Sequence, residues 1–202
     1  MDNDIEMLIL MADGCEEVEA LTMYDVMKRA GVKTELCSIT GQNEVTSSHG
    51  VKIACESLIE DVSPYDVKAV YLPGGLPGAT NLAEHPLVLH IVQSLAVDEK
   101  LIVAVCAGPY VLYAAGLSKD LKMTCAPIFK DKIPNCDYIT DCMVVQEKNF
   151  LTGVGPAACL PLALQALTVL KGEEVSQQVA AAMQVSKLYV TVKQGTCVQK
   201  FN

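Results

Sequence analysis

Two side chains in this sequence have the type and setting for covalent chemistry, the thiol of Cys106 and the carboxyl of Glu19. Cys106 lies in the frame Ala104-x-Cys106-x-Gly108, with a small residue two positions to either side. A sharp strand-to-helix elbow needs that frame, because backbone and neighbouring strands crowd both positions while the central side chain is pushed outward. A thiol displayed in this way can add to an electrophilic carbon or be oxidised. The same stretch also suits a cysteine that closes a core strand, since free cysteine behaves as a small hydrophobe.

Glu19 is conspicuous for the company it keeps. Met23, Val26, Met27 and Ala30 recur at helical spacing and mark a core-facing stripe, and Glu19 lies four residues before Met23 on that stripe. A carboxylate there is destabilising unless it is paired or protonated. A partner must therefore sit opposite it, whether a reactive group or an ordinary buried hydrogen bond. Glu17 falls with Leu21, Tyr24 and Lys28 on another side, where a carboxylate is commonplace, and Glu16 occupies the last position of an Asp-x-x-Glu helix start from Asp13. A third feature is Pro73-Gly74-Gly75, whose paired glycines could turn the chain and present N–H groups to an anion or an oxyanion. It also reads as a plain glycine-rich turn, and no Gly-Lys-Ser/Thr follows to make it a phosphate loop.

The elements that must position these residues alternate between strand and helix. Residues 5–11 read as a buried strand, 16–30 as a helix stopped by Gly31, and 33–39 as a second strand. Residues 44–48 and 51–55 alternate around Ser48-His49-Gly50 as a small hairpin, which makes His49 a loop histidine. Residues 66–72 form a strand that ends at the glycine pair. Pro86 opens a helix with the apolar stripe Val88, Ile91, Val92 and Leu95, and His90 falls outside that stripe. The apolar run Leu101–Val105 leads into the Cys106 elbow and a helix at Tyr110–Ala115. Strand-like pieces follow at 121–125, 143–146 and 150–152, then helices to about Leu170 and over 173–184, and a tail in which 188–192 could add a strand. Gly153-x-Gly155-x-x-Ala158 has the form of a dinucleotide fingerprint, but Glu173 follows a helix where that fingerprint needs an acid ending a second strand.

This alternation predicts one α/β domain over 1–202, with a core at about 5–187 and a C-terminal extension at 188–202. Its centre should be a mostly parallel sheet covered by helices on both faces. Binding sites in such folds lie beyond the carboxyl ends of the strands. The loop entering the Glu19 helix, the Gly74-Gly75 turn and Cys106 all belong to that edge.

A net charge of −9 argues against nucleic acid or an anionic membrane as partner. The longest apolar stretches are broken by Gly-Pro pairs, and the acidic start runs directly into a strand with no visible leader. Nine cysteines is an odd number and no two form a C-x-x-C pair, which fits neither a disulfide scaffold nor a zinc ribbon. His49, His85 and His90 add no metal-ligand spacing, so no metal is expected. A reducing cytoplasm with free thiols is the simplest compartment.

Taken together, Asp13-Gly-Cys-Glu-Glu-x-Glu19, Asp25-Val-Met-Lys-Arg-Ala-Gly31, Tyr71-Leu-Pro-Gly-Gly75, Asn81-Leu, Ala104-Val-Cys-Ala-Gly-Pro109 and Lys130-Asp-Lys132 resemble the ThiJ/PfpI superfamily. The likeness runs in order from residue 5 to about 185 and is greatest to the parkinsonism-associated deglycase branch and its bacterial relatives. The resemblance implies a flavodoxin-like fold, a homodimer, and a cysteine nucleophile hydrogen-bonded to a glutamate, matched here by Cys106 and Glu19. It also implies a cofactor-free glyoxalase or deglycase acting on a small reactive aldehyde such as methylglyoxal or on a glycated substrate. On that reading Gly74, Gly75, Ala107 and Gly108 would hold the oxyanion or substrate. The alternative it carries is a stress sensor or chaperone, in which a low-pKa Cys106 is oxidised. Three departures leave the expected pocket more apolar. Ala126 stands where close relatives have histidine, Val154 where many have arginine, and His49 where several have arginine. Ala107 replaces the histidine that follows the cysteine in the intracellular-protease branch, which argues against a Cys-His protease.

Overall fold

A computed structural model describes residues 5–187. In chain order the elements are β1 (Met7–Met11), α1 (Glu17–Arg29), β2 (Thr34–Ser38), β3 (Glu44–Thr46), β4 (Lys52–Ala54), β5 (Ser57–Leu58), β6 (Ala69–Leu72), α2 (Gly78–Glu84) and α3 (Pro86–Val97). They continue with β7 (Leu101–Val105), α4 (Pro109–Ala114), β8 (Lys122–Met123), β9 (Asp137–Tyr138), β10 (Val144–Glu147), β11 (Phe150–Gly153), α5 (Cys159–Lys171) and α6 (Glu173–Ala182).

The central sheet has seven strands in the order β10-β11-β7-β6-β1-β2-β5. All neighbours are parallel except the β10·β11 hairpin at one edge. The chain builds outward from β1 in both directions, through β2 and β5 on one side and β6, β7 and β11 on the other. That reversal opens a crevice beyond the carboxyl ends of β1 and β6. Every residue of β1 is fully buried, as a strand covered on both faces requires.

Side-chain parity divides the core into two layers. Met7, Ile9 and Met11 pack with Met23 and Met27 of α1 and Leu162 and Ala166 of α5. Leu8 and Leu10 pack on the opposite face with Val88, Ile91 and Leu95 of α3 and Leu112 of α4. The flavodoxin-like arrangement expected from the sequence is therefore the one adopted. Gly31, at φ +69°, ends the first helix as expected, with its N–H donating to the Lys28 carbonyl.

Three local expectations are corrected. Asp13 does not cap α1: its Oδ1 accepts from the Thr46 N–H at 2.8 Å, tying the β3–β4 hairpin to the loop after β1. The segment at 121–125 contributes only β8, which leaves the main sheet and pairs in parallel with β9. The 66–72 strand starts late, because Pro64–Asp66 forms a 3₁₀ turn. The strand suggested at 188–192 lies outside the described residues.

Candidate active site

The residue after β7 leaves the strand abruptly. Cys106 takes φ +59°, a left-handed conformation that costs a non-glycine residue about 1–3 kcal/mol and is held only where its surroundings fix it. Those surroundings are explicit. The Cys106 N–H donates to the Gly153 carbonyl at 2.9 Å, and its own carbonyl accepts from the Ala126 N–H at 2.8 Å. The turn closes through the Gly108 N–H on the Val105 carbonyl at 2.7 Å. The glycine of that frame is required for the reason the sequence suggested, since a Cβ on Gly108 would lie 2.2 Å from the Leu72 carbonyl oxygen.

Glu19 reaches the same point from α1. It is fully buried, and its Oε2 accepts from the Gly74 N–H at 2.6 Å. Its Oε1 has no nitrogen or oxygen partner among the described residues, and the carboxyl's remaining interaction is with the Cys106 thiol. The first turn of α1 is fixed by the buried Tyr71, whose hydroxyl donates to the Glu19 carbonyl at 3.1 Å. Close approach is possible only because residue 74 lacks a side chain. A Cβ there would sit 2.8 Å from both Cys106 Cβ and Glu19 Oε2. Gly75, at φ +85°, takes a backbone form that other residues resist, and a Cβ on it would strike the Glu16 amide nitrogen at 2.3 Å.

Burial, only partly offset by the Gly74 N–H and the Cys106 hydrogen bond, raises the Glu19 carboxyl to about 7. Burial, then the Glu19 charge and the hydrogen bond to it, push the Cys106 thiol up to about 12, against the pull of the Ala107 and Gly75 amides. The low thiol pKa expected from the resemblance is thus replaced by a shared-proton pair. With one of its two protons gone, the pair holds the other more tightly than either group would alone, because burial and the neighbouring charge both oppose a second ionisation. When the remaining proton sits on Glu19, the sulfur is a thiolate facing a carboxyl donor and the Ala107 and Gly75 amides. Burial also raises the thiols of Cys15, Cys37, Cys125 and Cys159 to about 12. What sets Cys106 apart is its partly exposed position and its carboxyl partner.

The sulfur opens into a pocket of about 290 Å³. Its lining is apolar at Leu76, Ala126, Ile128 and Phe129 and polar at Glu16, Ser48 and His49. Of the four backbone positions expected to bind an oxyanion, the Gly75 and Ala107 amides face the sulfur. Gly74 and Gly108 need correcting, since their N–H groups are committed to Glu19 and Val105 and their role is to permit close packing. Ala126 supplies a methyl group at the pocket wall. Val154 does not line it; its N–H donates to the Met143 carbonyl at 3.0 Å.

His49 was legible only as a loop residue, yet the hairpin carries it to the pocket. The Gly14 N–H donates to the Thr46 carbonyl at 2.7 Å, and the Ser48 N–H donates to the Cys15 carbonyl at 2.8 Å. These bonds join segments more than thirty positions apart, and no local pattern announces them. The one available hint was the resemblance, which implies an arginine at position 49.

The sequence and the fold both have counterparts. The DJ-1/PfpI family model matches residues 6–169. The Parkinson disease protein 7 homolog of Danio rerio is 37% identical over 181 residues, covering 87% of this chain and 95% of that protein. The glutathione-independent glyoxalase DJR-1.2 of Caenorhabditis elegans is 28% identical over 183 residues, covering 90% and 96%. The crystal structure of Drosophila melanogaster DJ-1beta superposes with a TM-score of 0.86 at 32% identity, covering 90% of this chain and 98% of that one. With nearly the whole described chain accounted for in both sequence and fold, this protein belongs to the DJ-1/PfpI family.

Proposed function

We propose that this chain is a cofactor-independent glyoxalase that converts a 2-oxoaldehyde such as methylglyoxal to a 2-hydroxy acid. The observation that carries the reading is the Cys106–Glu19 pair, a strained thiol bonded to a buried carboxyl whose pKa is raised to about 7. The glyoxalase name of the Caenorhabditis elegans relative supports the same reaction class.

The sulfur adds to the aldehyde carbon, and the former carbonyl oxygen takes the proton that the Cys106–Glu19 pair held, giving a hemithioacetal. The Gly75 and Ala107 N–H groups steady the negative oxygen as it forms. Glu19, now a carboxylate, takes the hydrogen on that carbon as a proton and delivers it to the neighbouring carbonyl oxygen as the electron pair moves, making an enediol across the two carbons. Glu19 then takes the hydroxyl proton of the first carbon's oxygen and gives it to the second carbon, which leaves a 2-hydroxy thioester on Cys106. Water attacks the thioester carbon, the C–S bond breaks, and the acid and free thiol are released. A carboxyl near 7 suits this traffic, because a group that titrates close to working pH both takes and gives protons. The 290 Å³ pocket admits a small aldehyde, and its apolar lining accepts a methyl group. Glycated groups presented on a longer substrate would meet the same thiol, which is the deglycase form of the reading.

We place the enzyme in the cytoplasm as a homodimer. No helix among the described residues is long and apolar enough to cross a membrane. Val18 and Leu21 of α1 and Val51 of the neighbouring hairpin are 52%, 39% and 44% exposed, an apolar surface that a second copy would cover.

The test is lactate production from methylglyoxal without added thiol. Cys106→Ala should abolish it, and Glu19→Gln should lower kcat by roughly 10²–10⁴-fold. Turnover by Cys106→Ala at the wild-type rate sinks the proposal.

A further inference from the structure

The hydrolytic step above has no assigned base. One titratable ring on the pocket wall is unused by the other steps. His49 stands on the turn between β3 and β4, and its Nδ1 lies 2.9 Å from Glu17 Oε1. A carboxylate oxygen can only accept, so Nδ1 carries the hydrogen and the neutral ring keeps its lone pair on Nε2. Among the described residues the hydrogen bonds of the ring are all made through Nδ1, to Glu17 and to the Ser48 hydroxyl at 3.3 Å. Glu16 approaches the same nitrogen at 3.8 Å and accepts from the Ser48 hydroxyl at 3.4 Å. The ring is thus held at one nitrogen while the other has no partner among the described residues, and it is 66% exposed on the pocket that contains Cys106.

We propose that His49 is the general base of this pocket, taking a proton from the water that hydrolyses an acyl group carried on Cys106. Glu17 is its positioning residue. Among the described residues the charged groups that the ring meets are Glu16 and Glu17, and Cys106 lines the same pocket. Glu17 first and then Glu16 raise the ring's affinity for a proton. In the step, the water oxygen bonds to the acyl carbon and its proton passes to Nε2. Collapse of the tetrahedral species breaks the C–S bond, and the electron pair leaves on sulfur. The proton on Nε2 then goes to that thiolate, and the released acid loses its own proton to solvent. Ala126 offers no such group, so on this inference the base comes from the hairpin side of the cavity.

The inference rests on the thiol reading of Cys106 but not on the aldehyde being the substrate. The full chain is therefore acetylated with p-nitrophenyl acetate, and loss of the acetyl group is timed on the Cys106 peptide by mass spectrometry. His49→Ala is expected to slow deacylation by roughly 10²-fold with acylation little changed. Added imidazole should restore the rate in His49→Ala, and Glu17→Gln should fall between the two. Equal deacylation in wild type and His49→Ala overturns the proposal, as does slow deacylation that imidazole leaves unchanged. Absence of any acetyl group on wild-type Cys106 overturns both this and the glyoxalase reading. If imidazole-rescued deacylation is seen in a protein that makes no lactate, the glyoxalase reading falls and the base stands. Lactate formation with deacylation independent of His49 gives the reverse.

Discussion

At the scale of the residue, the site is a buried acid whose charge is unwelcome. Glu19 in the folded chain titrates at about 7 against an ordinary value of 4.5. Between those values the folded state binds more protons than the unfolded state, so stability falls as pH rises through the interval and is level above it. The loss is at most on the order of 3 kcal/mol, since each unit of pKa is worth about 1.4 kcal/mol. Gln can accept from the Gly74 N–H without bearing charge. Glu19→Gln should therefore flatten the pH dependence between 4.5 and 7 and raise Tm at pH 8 relative to wild type. Calorimetry at pH 5 and pH 8 checks this, and an unchanged slope would mean that the carboxyl is not held protonated by burial. Greater stability together with lost turnover would show that the charge is kept for chemistry.

At the scale of the element, three connections converge: the entry to α1, the glycine turn after β6 and the elbow after β7. They interlock through backbone with little side-chain cushioning. Glu16 N–H donates to the Gly74 carbonyl at 3.0 Å, and a Cβ on Gly78 would lie 2.6 Å from the Cys15 nitrogen. Gly108→Ala should therefore be severe although its φ of −54° is ordinary, because the obstacle at 2.2 Å is the Leu72 carbonyl and backbone cannot step aside cheaply. A loss of roughly 2–3 kcal/mol in urea unfolding is expected, in line with overpacking of a filled interior. Gly31→Ala offers a control of a different kind, since its cost comes from φ +69° and not from contact.

At the scale of the whole molecule, a sheet covered on both faces leaves its exposed apolar side chains on the helices, turns and loops around it. Val18, Leu21 and Val51 lie on the elements that also supply Glu17, Glu19 and His49, so pairing of two copies there would brace the polar lining of each pocket. Leu21→Glu should shift sedimentation equilibrium from dimer toward monomer at micromolar concentration. A wild type that sediments as a monomer at every concentration would remove the dimer from the proposal. The net charge of −9 keeps such a surface soluble without deciding its partner.

The sequence by itself determined the layered sheet, the elbow, the burial of Glu19 and the glycine turn, because each is a local matter of period, residue size or backbone freedom. The Leu101–Val105 run has to be a covered strand, and a carboxylate on the Met23–Met27 stripe has to face inward. Only the tertiary structure decided that the Gly74 amide is closed to a ligand, since its acceptor Glu19 lies 55 positions away, whereas the Gly108 bond to Val105 belongs to the local turn. It alone also brought His49 to the pocket. Hydrogen bonds from the hairpin to the loop after β1 place that ring, and their register follows from packing between distant segments. The proton affinities of Glu19 and Cys106 are tertiary for the same reason, because burial and the distance between two charges exist only once the chain has closed around them.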